Sequence, residues 1–349
     1  MVRMKDVAVD AGVSVATVSN VITGKQYVSP DVKEKVEQSI KKLGYQVNLI
    51  ARGLKSKRTD TIGVVLPDIS KMFFPNVLKG ITDSASKANY RVNFLSSNFD
   101  FKTERQSVDY LKASCADGII LDTVCPRDQL KEWSRKITFK SGGEKMPIVS
   151  LEQVMDESLI SSVLIDYKAS SRQITRHLIR LNKKKIMYLG ASNDILHSYQ
   201  RYMGYVAALE ENAIPLNPAL VFSVDFEAFG AYKAVKKALN DGLDFDAVQA
   251  VNDQTAIGAL KALKEHGVAV PQRVAVAGFD NIFPSTLVTP QITTVNVPKY
   301  RLGKMAFTEL KRLMDSPQAQ TRSIYFDAPL IERQSTRDDI VEDWDLSLW

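Results

Sequence analysis

Residues 4–22 read MKDVAVDAGVSVATVSNVI, and this stretch decides what kind of module opens the chain. Met4, Val7, Ala8 and Ala11 recur at the i, i+3, i+4, i+7 spacing of a short amphipathic helix. Gly12 suits a left-handed turn, and Ser14 suits the N-cap of a second helix over 15–22, with Val18 and Val21 or Ile22 facing inward. Ser29 and Pro30 open a third helix whose stripe is Val32, Val36, Ile40 and Leu43, and Gly44 ends it. Two short helices joined by a glycine-containing turn describe a helix-turn-helix, whose second helix lies in the major groove of DNA.

The outward positions of that second helix are Val15, Ala16, Thr17, Ser19 and Asn20. Val15 and Ala16 offer methyl contacts to thymine, and Asn20 can pair bidentately with adenine. Thr17 and Ser19 are better placed for phosphates. A small helical bundle with no DNA role would show the same pattern, so charge decides between them. The 349 residues carry a net charge of +6, and residues 1–60 hold eleven Lys or Arg against six Asp or Glu. The remainder is nearly balanced, thirty-five against thirty-four. Excess positive charge confined to one end fits a segment that meets a polyanion.

From residue 60 the texture changes. Apolar strand-like runs alternate with helix-length stretches at 61–66, 92–95, 118–121, 148–151, 163–165, 185–189, 221–223, 248–251 and 274–277. Strands without polar alternation, separated by helices, predict parallel sheets covered on both faces. Nine strands exceed one comfortable open sheet, so two α/β lobes are expected.

Composition bounds the function further. No apolar run approaches the ~18 residues of a membrane span, and residues 1–10 lack the apolar core of a secretory leader, so a cytoplasmic protein without membrane contact is expected. Cys115 and Cys125 read as two small buried thiols rather than a bridge, and with only His177, His197 and His266 a zinc finger cannot be built. No nucleophile–base–orienter set emerges and no G-x-G-x-x-G follows a strand, so neither an enzyme, a cofactor nor a metal is expected. Asp253 and Asp280 as a glycosidase pair remain a remote alternative, as does a plain sugar-binding protein.

The run from Asp6-Val7-Ala8 through Ala11-Gly12-Val13-Ser14 to Val18-Ser19, with Val28-Ser29, Lys35-Val36 and Leu43-Gly44-Tyr45 beyond it, resembles the head of the lactose/galactose repressor (LacI/GalR) family. One departure is Asn20, where members often carry arginine, so the operator half-site is expected to differ. Residues 48–54, NLIARGL, resemble that family's hinge helix. Asn48 is a good N-cap, but a helix of about eight residues that contains Gly53 is marginal in water and is expected to fold only on the minor groove. There Ala51 and Lys55 would meet the DNA and Leu54 would wedge into a base step.

The resemblance covers essentially the whole chain and implies an all-α head with a hinge helix, followed by a periplasmic-binding-protein-like pair of α/β lobes with parallel sheets. The head is expected over 1–46, hinge and linker over 47–60, the two-lobe part over 61–337, and a tail over 338–349. The N-lobe would span about 61–163 plus 293–325, and the C-lobe about 164–290 plus 326–337. It also implies a transcription regulator, most often a repressor. Such a regulator binds a pseudo-palindromic operator as a homodimer and answers to a small-molecule effector, a sugar or sugar derivative. The region after 331–336 shows no leucine heptads that would add a tetramerising coil.

Effectors on open α/β sheets bind where the strand C-termini meet. Arg201, expected at the start of a helix over 202–212, matches the family's ligand-clamping arginine, although a surface salt bridge would need the same residue. Glu152, Asn252 and Asp280 follow predicted strands, and Asp253 follows too but is equally suited to cap the helix over 254–265. Phe73, Phe74 and Phe226, with Met72, are offered as apolar walls for a sugar ring. The chain is also similar to the catabolite control proteins, at residues 63–70 (GVVLPDIS) and 279–281 (FDN). That likeness implies a phosphorylated carrier protein as corepressor, for which the basic stretch 299–304, KYRLGK, would serve unless it is an ordinary solvated helix face.

Overall fold

The computed structural model describes residues 2–24, 26–46, 58–139, 143–190 and 195–341. The chain divides into two units, Met1–Thr59 and Asp60–Trp349. In the first, helices α1 (Met4–Asp10), α2 (Val15–Thr23) and α3 (Pro30–Leu43) surround a minimal core of Val7, Ala8, Val18 and Val36. Each boundary has a local cause. The backbone N–H of Arg3 donates to Asp6 at 2.8 Å, and Ser14 Oγ accepts from the Thr17 N–H at 3.0 Å. Gly12 and Gly44 take the left-handed turn positions at φ 68° and 64°, where a β-carbon would be strained. Lys42 Nζ reaches Asp10 at 2.7 Å and ties the end of α3 to the end of α1.

The second unit holds two parallel sheets, one in each lobe. Strands β1 (Thr61–Leu66), β2 (Arg91–Ser96), β3 (Gly118–Leu121), β4 (Ile148–Leu151), β5 (Ser161–Ile165) and β11 (Ser323–Phe326) pair in the order β11-β5-β4-β3-β1-β2. Strands β6 (Ile186–Gly190), β7 (Val221–Ser223), β8 (Ala247–Ala250) and β9 (Ala275–Ala277) pair in the order β7-β6-β8-β9. A short antiparallel pair, β10 (Thr294–Val295) with β12 (Leu330–Ile331), completes the set. Almost every residue of β1, β3–β6, β8 and β9 is buried, because helices cover both faces of each sheet.

Four expectations need correction. Twelve strands, not nine, lie among the described residues. Two of the extra ones, β10 and β12, are only two residues long, too short for an apolar run to announce them, whereas β11 does hold such a run at residues 324–326. The helix expected over 202–212 begins at Leu196 and runs to Glu211, so His197–Gln200 are helical and Arg201 sits in its second turn. All of β5 and β11 belongs to the first sheet, which carries that lobe a few residues past 163 and 325. Cys115 is exposed while Cys125 is buried, so only one of the two thiols is a core residue.

Candidate functional site

The head presents one face of α2. Val15 is 44% exposed, Ala16 is exposed, and Thr17, Ser19 and Asn20 are half-buried. The Thr17 hydroxyl lies 2.9 Å from Ser14 Oγ and so belongs to the helix cap. Asn20 Nδ2 donates to Gln26 Oε1 at 3.0 Å, a partner the helical pattern did not show. Gln26 lies beyond Gly24, whose left-handed cap (φ 66°) turns the chain back beside the helix. Tyr27, 89% exposed, stands next to it. Asn48, Ala51, Leu54 and Lys55, the expected hinge contacts, lie outside the described residues.

The second site is a cleft between the two sheets. Its lining follows from topology, for side chains just past the C-terminal ends of parallel strands converge on the crevice. The first lobe contributes Lys71, Phe73, Phe74, Phe99, Asp122 and Glu152, and the second contributes His197, Arg201, Phe226, Asn252, Gln254 and Asp280. Phe73 and Phe74 meet edge to face at 5.2 Å, and Phe99 and Phe226 lie nearly parallel across the mouth at 6.3 Å. Lys71, beside Phe99, makes an ion pair with Glu227 of the opposite lobe.

Arg201 is the hub. It is 4% exposed, so it is no surface salt bridge. Its guanidinium donates to the Val251 carbonyl at 2.8 Å, reaches Asp280 at 3.4 Å, and lies over the rings of Tyr167 and Phe279 at 4.7 and 4.2 Å. Glu152 accepts from the Tyr167 hydroxyl. Glu152 and Asp280 hold φ of 61° and 101°, a conformation that side-chain-bearing residues avoid at a cost of about 1–3 kcal/mol. Their carboxyls are thereby fixed at the cleft before any ligand arrives.

Burial dominates the site's electrostatics. It pushes the Glu152 carboxyl up to about 7 and that of Asp280 up to about 6, both against the pull of Arg201. Asp122 is raised well above the carboxylate range by burial and by the neighbouring Glu152 and Glu104. His197 is held down to about 3 by burial and Arg201. Both Asp122 carboxyl oxygens, His197 Nδ1 and Arg201 Nε are buried with no hydrogen-bond partner among the described residues. Leaving such groups unpaired costs roughly 1–3 kcal/mol each, and a bound polar molecule would supply the missing partners.

Of the expected cleft residues, Phe73, Phe74, Glu152, Arg201, Phe226, Asn252 and Asp280 come together. Asn252 also caps the helix Asp253–Glu265 by accepting from the Thr255 N–H at 2.8 Å. Asp253 departs from both of its expected roles. It neither caps nor lines the cleft, but accepts from the Ile282 N–H at 2.7 Å and the Thr294 hydroxyl at 2.6 Å behind it. Met72 is exposed and is not part of the cleft lining. Lys299 is not on a basic surface either, since its buried ammonium donates to the Asn281 carbonyl at 2.9 Å. Asp122, His197, Phe99 and Lys71 were not anticipated. Asp122 follows its strand directly, as Glu152 does, so the same rule points to it; nothing local marks the other three.

A family model described as "Bacterial regulatory proteins, lacI family" matches residues 3–48, and one described as "Periplasmic binding proteins and sugar binding domain of LacI family" matches residues 59–334. The HTH-type transcriptional regulator RegA of Clostridium saccharobutylicum is 34% identical over 334 residues, covering 95% of this chain and 98% of that protein. Catabolite control protein A of Priestia megaterium is 30% identical over 337 residues, covering 96% and 99%. A solved transcriptional regulator CelR–cellobiose complex superposes with a TM-score of 0.71 at 26% identity, over 96% of this chain and all of that one (100%). No helix among the described residues is long and apolar enough to cross a membrane.

Proposed function

The chain belongs to the LacI family of bacterial regulatory proteins, and from that premise we propose that it is an operator-binding regulator, acting as a dimer, whose cleft binds a sugar that alters operator affinity. The observation that carries the sensing half is the set of buried, unpartnered polar atoms on Asp122, His197 and Arg201 facing an aromatic-walled cleft. The cleft joins residues of both lobes, so a ligand bridging them has a direct means of setting their closure. A relative solved with cellobiose supports a carbohydrate as the ligand class.

Val15, Ala16 and Asn20 read bases of the operator in this account, joined by Gln26, Thr17 and Ser19 lie toward its phosphates, and Asn48, Ala51, Leu54 and Lys55 act at the minor groove. No chemical step is part of the reading, and a cytoplasmic location fits it. A phosphorylated carrier protein as corepressor is the alternative partner, for which Arg301 and Lys304 remain exposed.

Selection on randomised duplexes tests the DNA half. A pseudo-palindrome is expected, with log affinity falling steeply against log salt because several phosphates are neutralised. Absence of any sequence preference overturns it. On the selected duplex, Leu54→Ala should reduce DNA bending without affecting sugar binding; unchanged bending removes Leu54 from the contact set.

A further inference from the structure

Resting on the sugar-sensing reading, we propose that the cleft takes an uncharged polyhydroxylated ligand and rejects sugars that carry phosphate or carboxylate. The two cations at the cleft are already matched. Each terminal nitrogen of Arg201 already donates, one to the Val251 carbonyl and one to Asp280, its faces are covered by Tyr167 and Phe279, and its Nε–H has no partner among the described residues. Lys71 is turned toward Glu227 and Asp68 and lies over the Phe99 ring. His197 is the third basic side chain, and burial beside Arg201 keeps it neutral. Against these stand three carboxyls, Asp122, Glu152 and Asp280, all buried. Among the described residues the cleft therefore offers a surplus of acid and no cation without an acidic partner.

The hydrogen-bonding inventory leads to the same class. Both Asp122 oxygens are 1% exposed and unpartnered among the described residues; burial drives the empty carboxyl toward its neutral form, and donors to both oxygens would restore the carboxylate. Sugar hydroxyls are donors as well as acceptors, so one ring can donate to Asp122 and accept from Arg201 Nε. An ionised phosphate or carboxylate brings acceptors only, so it can take a proton from a neutral Asp122 but cannot satisfy both of its oxygens, and it adds a negative charge beside Asp280 and Glu152 in a poorly solvated site. The apolar walls of Phe73, Phe74 and Phe226 suit the carbon face of the same ring.

Calorimetry on the full-length protein with matched sets tests this: glucose, glucose 6-phosphate and glucuronate; ribose and ribose 5-phosphate; cellobiose and its phosphorylated form. The tightest ligand should be neutral, with its charged counterparts at least 100-fold weaker. In Asp122→Asn the neutral sugar should bind at least tenfold more weakly and the discrimination against the charged forms should shrink by at least tenfold. Operator affinity without sugar serves as the folding control, and Glu152→Gln replaces Asp122→Asn if that control fails. A phosphorylated or carboxylated sugar that binds as tightly as its neutral counterpart overturns the charge rule and leaves sugar sensing standing. Discrimination unchanged in the variant removes the carboxyls as its cause. Failure of every sugar to bind overturns sugar sensing itself, and this inference with it.

Discussion

The head and the two-lobe unit carry their functional groups in opposite ways. In the head, four residues form the buried core and the candidate DNA-contacting side chains of α2 lie on a surface left partly or wholly exposed. In the two-lobe unit the candidate ligand groups are themselves interior. Asp122, Glu152, Asn252, Asp280 and Arg201 are all buried, held by neighbours from both sheets. The head's groups become buried only against DNA, whereas the cleft carries the desolvation penalty of its charges permanently and lowers it by mutual pairing. Substitutions in the head should therefore alter binding and spare folding, while substitutions in the cleft should alter both.

Arg201→Ala is the strongest attempt to break that contrast. Removing the hub strands Asp280 and its neighbours as buried acids without their cation, which costs about 3–5 kcal/mol when one partner of a buried pair is deleted. A clear fall in Tm is expected, sugar binding by calorimetry should vanish, and operator affinity without sugar should stay within about twofold where the variant is folded. A variant of unchanged Tm that still binds sugar at the same concentration places the pocket elsewhere.

Asn20→Ala should have a smaller and purely local effect. Loss of a base-reading carboxamide costs about 1–3 kcal/mol on the selected operator and relaxes one position of its motif. Tm should not move. Because Asn20 donates to Gln26 at 3.0 Å, Gln26→Ala should weaken the same position and the double variant should lose less than the sum of the two. Equal losses on every DNA sequence would make Asn20 a phosphate or packing residue.

The smallest effect is one of sign. Glu152 and Asp280 at the cleft and Asp253 behind it have carboxyls raised by burial to about 7, 6 and 7, so this region of the native protein holds protons that the unfolded chain has released. Their stabilisation is full below the ordinary carboxylate range, near pH 4, and is lost as pH rises through 6–7. In the head, Asp10 is lowered by its hydrogen bonds to Lys42 and Ser39, and its contribution is lost as pH falls through the acid range. Hydrogen exchange of the sugar-free protein from pH 5 to 8, corrected for intrinsic rates, should show protection falling at the cleft and holding steady in the head. A parallel change in both regions contradicts the assignment.

The same contrast explains what could be read from the sequence. The helix-turn-helix is local, so the i, i+3, i+4, i+7 pattern, Ser14 and Gly44 carry it without knowledge of any other part of the chain. The strands of the lobes were legible as apolar runs except β10 and β12, which are only two residues long; β11 has a run at 324–326 but pairs with β5 from far along the chain. Cleft residues that directly follow a strand, such as Glu152 and Asp280, were within reach. Those that arrive from a distance were not: His197 enters from a helix whose first turn was read as loop, and Lys71 is placed by its partner Glu227 in the other lobe. Asp253 failed for the converse reason, since its position after a strand suits a ligand contact while Ile282 and Thr294 hold it behind the cleft.

The central claim is that the buried cleft governs what the exposed helix does, and operator affinity read with and without sugar tests it most directly. Fluorescence anisotropy on the selected duplex, at one fixed salt concentration, should show the apparent Kd moving about 5–150-fold on saturation with a sugar that binds by calorimetry, the range of ordinary coupling between two sites. Arg201→Ala should abolish the shift. A sugar that fills the cleft in the calorimeter and leaves operator affinity where it was would contradict the account.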